Sequence, residues 1–172
     1  MKLYKTGLMM AVLAACAQVN AADLKVSVEI PELEVAEYHK PYVAVWIEDD
    51  SNKVVSNLAV WYDVDMRNGG GEKWLKDMRQ WWRRAGRAME MPVDGVSGAT
   101  YGPGSYDMEF TAGKAPLSEL QPGKYRLRVE AAREVGGREL INVPFNWPQN
   151  NPVTFKKQGS SELGTIELTI KP

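Results

Sequence analysis

The sequence contains one cysteine, Cys16, and one histidine, His39, among 172 residues. A single cysteine excludes a disulfide framework within the chain. So few nitrogen and sulfur ligands also exclude the common zinc sites, and they argue against Ser/His/Asp or Cys/His catalysis. We therefore predict no metal site and no catalytic residues.

The chain also has almost no net charge, because it contains 21 basic and 22 acidic side chains and its formal charge is −1. This balance gives no general attraction to nucleic acid or to anionic membranes, and we expect no nucleic-acid partner. The hydrophobic fraction of 44% and the charged fraction of 25% are ordinary for a globular protein.

The N-terminal segment has the pattern of an export signal. Lys2 and Lys5 precede an apolar run at 8–17 that is too short to span a bilayer as a helix. Small residues follow, and we place the cleavage after Ala21. Residues 1–21 are thus predicted to be a signal peptide of a periplasmic protein, with no transmembrane span in the mature chain.

A second form of processing competes with this one. The sequence Leu-Ala-Ala-Cys at 13–16 has the form of a lipoprotein box, in which Cys16 is lipidated and becomes the new N-terminus. The protein would then be anchored to the membrane through Cys16. Both alternatives place the product outside the cytoplasm.

The mature chain, residues 22–172, is expected to be a single domain built mainly of β-strands. Apolar and polar residues alternate along several short segments, which are separated by turn-forming residues such as 49–53. We predict an immunoglobulin-like or fibronectin-like β-sandwich. Its predicted strands are 24–30, 42–48, 54–62, 124–131, 140–145 and 165–171.

One segment has a helical period instead. Apolar residues between 72 and 85 recur at spacings of three, four and seven: Trp74, Leu75, Met78, Trp81 and Trp82. This pattern predicts one inserted α-helix with Trp74 and Trp81 in the core. Two further tryptophans, Trp46 and Trp61, are expected in the core on strands.

The stretch 89–105 is rich in small residues and has no period, so we expect a long exposed loop with a function. It contains Asp-Gly-Val-Ser-Gly-Ala-Thr at 94–100, which resembles the acceptor motif of bacterial flavin transferases. The fixed positions of that motif are Asp94, Ser97, Gly98, Ala99 and Thr100. The resemblance implies that FMN is joined through its phosphate to the Thr100 hydroxyl.

The residue types suit such a role. A hydroxyl is the nucleophile that the attachment needs, and glycine and alanine keep the segment narrow enough to enter another enzyme's active site. Asp94 and Ser97 are able to hydrogen-bond local backbone. In the alternative interpretation, the segment is a glycine-rich turn in which those two side chains merely satisfy backbone groups.

Most of the mature chain resembles an exported family, the domain of unknown function 2271. The resemblance rests on the segments 42–49, 74–83 and 129–145. It implies an immunoglobulin-like fold similar to a domain of a flagellar hook protein. Because such proteins tend to be encoded near flavin transferases and PepSY-type membrane proteins, it also implies a flavin transferase and a PepSY-type membrane reductase as partners.

Three further side chains are candidates for flavin binding. Trp82 and Tyr101 are expected to stack on the isoalloxazine ring. Arg83 is expected to pair with the FMN phosphate, because arginine donates bidentate hydrogen bonds to phosphate. The alternative for Arg83 is compensation of charge at the C-terminal end of the helix.

The combined prediction is an extracytoplasmic electron-transfer flavoprotein with covalent FMN, which is a substrate of a flavin transferase rather than an enzyme itself. The rival prediction is a cofactor-free, immunoglobulin-like binding or accessory module for iron or haem handling.

Overall fold

The structure is a computed structural model that describes residues 22–172. The predicted signal peptide, its cleavage site and Cys16 lie outside the described residues. The described chain forms two β-sheets and a helical segment between the third and fourth strands. The strands are β1 (Asp23–Ile30), β2 (Tyr42–Asp49), β3 (Val54–Tyr62), β4 (Ser97–Ala99), β5 (Gly104–Thr111), β6 (Gly123–Ala132), β7 (Arg138–Trp147), β8 (Val153–Gln158) and β9 (Thr165–Lys171).

The strand order is β5-β1-β9-β8 in the four-stranded sheet and β4-β3-β2-β6-β7 in the five-stranded sheet. All neighbouring strands are antiparallel except β3 and β4, which run parallel. The prediction of a mainly-β protein with two sheets is confirmed. Turn formers at 49–53 close the β2–β3 hairpin, where Lys53 N–H donates to the Asp49 carboxylate at 2.9 Å.

The main hydrophobic core lies between the two sheets. Alternate residues of β1, such as Leu24, Val26 and Val28, are fully buried and belong to one cluster with Val45 and Leu127 of the other sheet. Successive side chains of a strand point to opposite faces, so an alternating sequence buries one face of each sheet against the other.

A second core lies on the outer face of the five-stranded sheet. Here Ala44 and Trp46 of β2 pack with Leu75, Met78 and Trp81 of the helical segment. Strand β2 is therefore buried on both faces, which explains why its sequence is a continuous apolar run.

The helical segment, residues 67–88, differs from the prediction and is called the helical insert below. It consists of a 3₁₀ segment (Arg67–Asp77), a short helix α1 (Arg79–Arg84) and a 3₁₀ turn (Gly86–Ala88). The prediction of one continuous α-helix over 72–85 is therefore wrong, although an α-helix is present within it. The main-chain angles of Met78 (φ −76°, ψ 71°) interrupt the helix before α1 begins.

Contacts with the sheet explain where α1 begins. The buried Glu130 carboxylate of β6 accepts the N–H groups of Gln80 and Trp81 at 3.0 and 2.7 Å.

Because the preceding segment is 3₁₀, its three-residue turn rotates Trp74 away from the core. Trp74 is 46% exposed, which contradicts the prediction, whereas Trp46, Trp61 and Trp81 are buried as predicted.

The expected loop at 89–105 is also more structured than predicted. Val96 is buried in the second core, and its carbonyl accepts the Val60 N–H at 2.8 Å. This contact begins β4, and Gly104 already belongs to β5. The motif is thus partly a strand at the edge of the five-stranded sheet.

Candidate functional site

A cleft of about 470 Å³ lies beyond one end of the five-stranded sheet. The register of the sheet creates this end, because Tyr42 at the start of β2 is paired with Ala132 at the end of β6. Likewise, Tyr62 at the end of β3 is paired with Ala99 at the end of β4. The chain segments that extend beyond these strand ends form the walls, together with Trp74 and Asp77 of the helical insert.

Thr100 lies on the wall of this cleft. It follows directly after β4, whose residues Ser97, Gly98 and Ala99 are paired with Val60, Trp61 and Tyr62. Ala99 lines the cleft as well, and the Thr100 side chain is half-buried. The last residue of the motif is therefore held at a defined position at the cleft, rather than at the tip of a long loop.

The preceding residues form a tight turn that begins β4. The Ser97 hydroxyl accepts the Val93 N–H at 2.9 Å, and the Val93 carbonyl accepts the Ser97 N–H at 2.8 Å. Gly95 has φ 71°, a conformation that favours glycine. Ser97 thus satisfies local backbone, as the alternative interpretation expected, while Asp94 is exposed on the turn.

Two contacts join this turn to β3. Burial raises the pKa of Tyr62, and the neighbouring Ser97 side chain opposes that shift. Gly98 lies beside the Trp61 ring, and a Cβ atom on Gly98 would make an ordinary van der Waals contact with that ring at 3.4 Å. Of the fixed positions of the motif, Ser97 therefore has a structural role in this fold, because its hydroxyl accepts a backbone N–H group.

Two residues of the cleft lining have buried hydrogen-bonding atoms that lack partners within residues 22–172. The Tyr38 hydroxyl and Nη1 of Arg133 are buried, and neither has a hydrogen-bond partner within residues 22–172. Both residues line the cleft. Arg133 is held in place by Glu162, whose carboxylate accepts its Nε and Nη2 protons at 2.8 and 3.1 Å. This hydrogen bonding raises the pKa of Arg133, and burial raises the pKa of Tyr38.

The cleft lining carries more negative than positive charge. Four carboxylates line it against two cations, so the formal charge is −2 with His39 neutral. The carboxylates are Asp63, Asp65, Asp77 and Glu134, and the cations are Lys40 and Arg133. His39 lies at the rim, where its Nε2 is 3.0 Å from Glu37 and its Nδ1 is 3.7 Å from Glu134.

The other predicted flavin-binding residues lie elsewhere. Tyr101 follows Thr100 but packs edge-on against Trp61 and beside Tyr106, with ring centroids 4.8 and 4.3 Å away. Trp82 packs against the second core, with its ring 6.3 Å from that of Trp81. Arg83 donates to the Gln80 side chain. None of Trp82, Arg83 and Tyr101 is part of the cleft lining.

Sequence reasoning missed the cleft residues Tyr38, Lys40, Trp74 and Arg133. One signal was available, because the predicted β2–β3 hairpin places residues before Tyr42 and residues after Tyr62 at the same sheet end. The contribution of Trp74 could not have been recognised, since it depends on the 3₁₀ geometry of the insert.

Comparison with known proteins identifies the family. The family described as "Predicted periplasmic protein (DUF2271)" matches residues 23–165. The chain belongs to this family. Its location is periplasmic, in agreement with the export signal. No curated protein and no solved structure matches the chain. Within residues 22–172, no helix is long and apolar enough to cross a membrane.

Proposed function

We propose that this periplasmic protein is an electron carrier with FMN attached covalently, through its phosphate, to the hydroxyl of Thr100. One observation carries the proposal: the terminal residue of the acceptor motif lies on the wall of a cleft of about 470 Å³. That volume is within the range of about 300–1,000 Å³ typical of small-molecule sites. An attached flavin has room beside its attachment residue.

The cleft residues fit the parts of FMN. The exposed face of Trp74 suits stacking on the isoalloxazine ring, since aromatic rings stack favourably when offset. The unpartnered Tyr38 hydroxyl and Arg133 Nη1 are donors that match the carbonyl oxygens of the ring. Lys40 is the exposed cation of the lining and suits the phosphodiester.

FMN supplies one- or two-electron transfer when bound, and the chain's own residues set its environment. The net negative lining disfavours the addition of further negative charge, so we expect the cleft to lower the reduction potential. A covalent link also prevents loss of the cofactor in the periplasm. No substrate of its own is needed, and the protein serves a flavin transferase as substrate.

The location of the motif suits modification by another enzyme. Strand β4 has only three residues and is paired with β3 on one side, at the edge of the five-stranded sheet. Ala99 is exposed and Thr100 is half-buried, so the segment is reached from outside.

We further propose an immunoglobulin-like sandwich as the scaffold and a PepSY-type membrane reductase as the redox partner. The fold proposal is supported by two mainly antiparallel sheets that share one core. The partner proposal rests on the family resemblance and on the periplasmic location.

Co-expression with a flavin transferase tests the proposal. Intact mass of the protein purified from the periplasm should show one FMN adduct on the wild type and on Thr100→Ser, and none on Thr100→Ala. Thr111→Ala, a matched change on β5, should retain the adduct. If the wild type gains no adduct, the cofactor-free binding module replaces the electron carrier.

A further inference from the structure

The charges of this nearly neutral protein are strongly separated. The helical insert, residues 67–88, has seven basic side chains and two acidic ones, a formal charge of +5. The remaining described residues have 12 basic and 20 acidic side chains, a formal charge of −8. The seven basic residues are all exposed: Arg67, Lys73, Lys76, Arg79, Arg83, Arg84 and Arg87.

Several of these cations are available to an outside partner. Arg84 approaches the buried Glu48 carboxylate at 3.8 Å, and Arg83 donates to Gln80. In contrast, Lys73, Lys76 and Arg79 form no ion pair with any carboxylate of the described chain.

Exposed apolar side chains accompany the free cations. Trp74 is 46% exposed and lies between Lys73 and Lys76 in the sequence, with the Lys76 Nζ 5.9 Å from its ring. Val64 and Met66 are 41% and 38% exposed and line the same cleft as Trp74. An exposed tryptophan flanked by lysines is the combination that favours the headgroup region of a membrane.

We propose that the helical insert binds the anionic phospholipid surface of a membrane bordering the periplasm, with Trp74 at the headgroups. Each cation near such a surface strengthens binding by about fivefold. The same surface repels the rest of the described chain, which has a formal charge of −8. The helical insert is therefore the part that binds.

Lipid is favoured over an acidic protein surface because an exposed tryptophan, Trp74, lies between the unpaired cations Lys73 and Lys76 in the sequence. Binding of this kind brings the cleft close to a membrane-embedded redox partner. Membrane binding by the insert does not require flavin, so it is tested on protein produced without a flavin transferase. A negative result in this test is therefore distinct from a failure of FMN attachment.

The test is co-sedimentation with vesicles of phosphatidylethanolamine and phosphatidylglycerol, compared with vesicles of phosphatidylcholine alone. The wild type, purified from the periplasm, should bind the anionic vesicles and dissociate in high salt, because salt screens surface charge. The variant Lys73→Glu/Lys76→Glu/Arg79→Glu should bind at least about tenfold more weakly. Trp74→Ala should also bind the anionic vesicles more weakly.

The matched control is Lys114→Glu/Lys157→Glu/Lys171→Glu, which changes the net charge equally but alters exposed residues on or next to the strands of the four-stranded sheet. It should bind the anionic vesicles far better than the insert variant. Circular dichroism and melting temperature verify that each variant is folded. Equal weakening by both triple variants would overturn the proposal. So would failure of the wild type to bind anionic vesicles, which would leave an acidic protein surface as the target.

Discussion

A Cβ atom on Gly71 would collide with the main-chain carbonyl of Asp63, so the helical insert begins directly against the chain that leaves β3. The same Cβ would lie 3.2 Å from the Tyr42 hydroxyl. This close approach positions Trp74, three residues later, on the cleft wall.

We therefore expect Gly71→Ala to destabilise the protein by about 1–3 kcal/mol, as overpacking does. Gly102→Ala is the control, because a Cβ there meets no atom within 4 Å, and it should change stability by less than about 0.5 kcal/mol. Urea unfolding measures both. Similar stabilities for the two variants would show that the insert does not depend on this contact.

Two of the three tryptophans of the insert, Trp74 and Trp81, are expected to differ sharply in their effect on stability. Trp81 is fully buried and its indole N–H donates to Asn57 at 2.9 Å, so Trp81→Ala should cost about 3–5 kcal/mol. Trp74→Ala removes an exposed ring and should cost less than about 1 kcal/mol. The free energy of unfolding of each variant tests this prediction. A larger loss of stability for Trp74→Ala than for Trp81→Ala would mean that Trp74 is a core residue.

The contrast between these two residues shows what the sequence could predict. The spacing of apolar residues identified a helical segment and a buried Trp81, because those depend on local period. The exposure of Trp74 depends on the 3₁₀ turn and on the Glu130 carboxylate, which is about fifty residues away and fixes the start of α1. A local pattern contains no information about that contact.

The strands show the same division. Strands β1, β2, β3, β6, β7 and β9 were predicted, because each contributes a clear apolar face to a core. Strand β8 was missed since it is an edge strand with only Val153 and Phe155 partly buried. Strand β5 was missed although Tyr106, Met108 and Phe110 alternate with polar residues, because it is also an edge strand whose apolar residues are only partly buried.

The site divides in a similar way. The motif at 94–100 is contiguous, so the sequence could identify Thr100. The cleft around it combines segments near 40, 64, 75 and 133, which only the pairing of the strand ends brings together.

Acid should remove part of the stability through Glu139. Burial opposes its ionisation, but N–H donors from Leu163, Ser160 and Ser161 outweigh burial and lower the pKa of Glu139 from 4.5 to about 2. A carboxyl group with a lowered folded-state pKa stabilises the fold fully above pH 4.5 and loses that contribution as the pH falls towards 2.

Glu139→Gln should therefore lower the free energy of unfolding by about 2 kcal/mol at pH 7, and the difference from wild type should shrink near pH 2–3. Glu119→Gln, which changes an exposed carboxylate, is the control and should match the wild type at both pH values. A difference for Glu139→Gln that is independent of pH would contradict this role.

The negative charge of the cleft lining should affect the reduction potential of the flavin-loaded protein. Asp65→Asn removes one of the four carboxylates and should raise the reduction potential by on the order of tens of millivolts. Asp50→Asn, in the exposed β2–β3 turn, makes the same charge change away from the cleft and should shift the potential much less. Spectroelectrochemistry measures both, and equal shifts would place the flavin outside this cleft.

Peptide mapping of the flavin-loaded protein tests the central claim most directly. Trypsin cleaves after Arg87 and Lys114, and no other lysine or arginine lies between them, so the motif is released in the single peptide 88–114. Fragmentation of that peptide distinguishes Thr100 from the other hydroxyl residues it contains, such as Ser97 and Ser105. The account predicts one FMN phosphodiester on Thr100; an unmodified peptide 88–114 from protein exposed to an active flavin transferase, or FMN on a different residue, would contradict it.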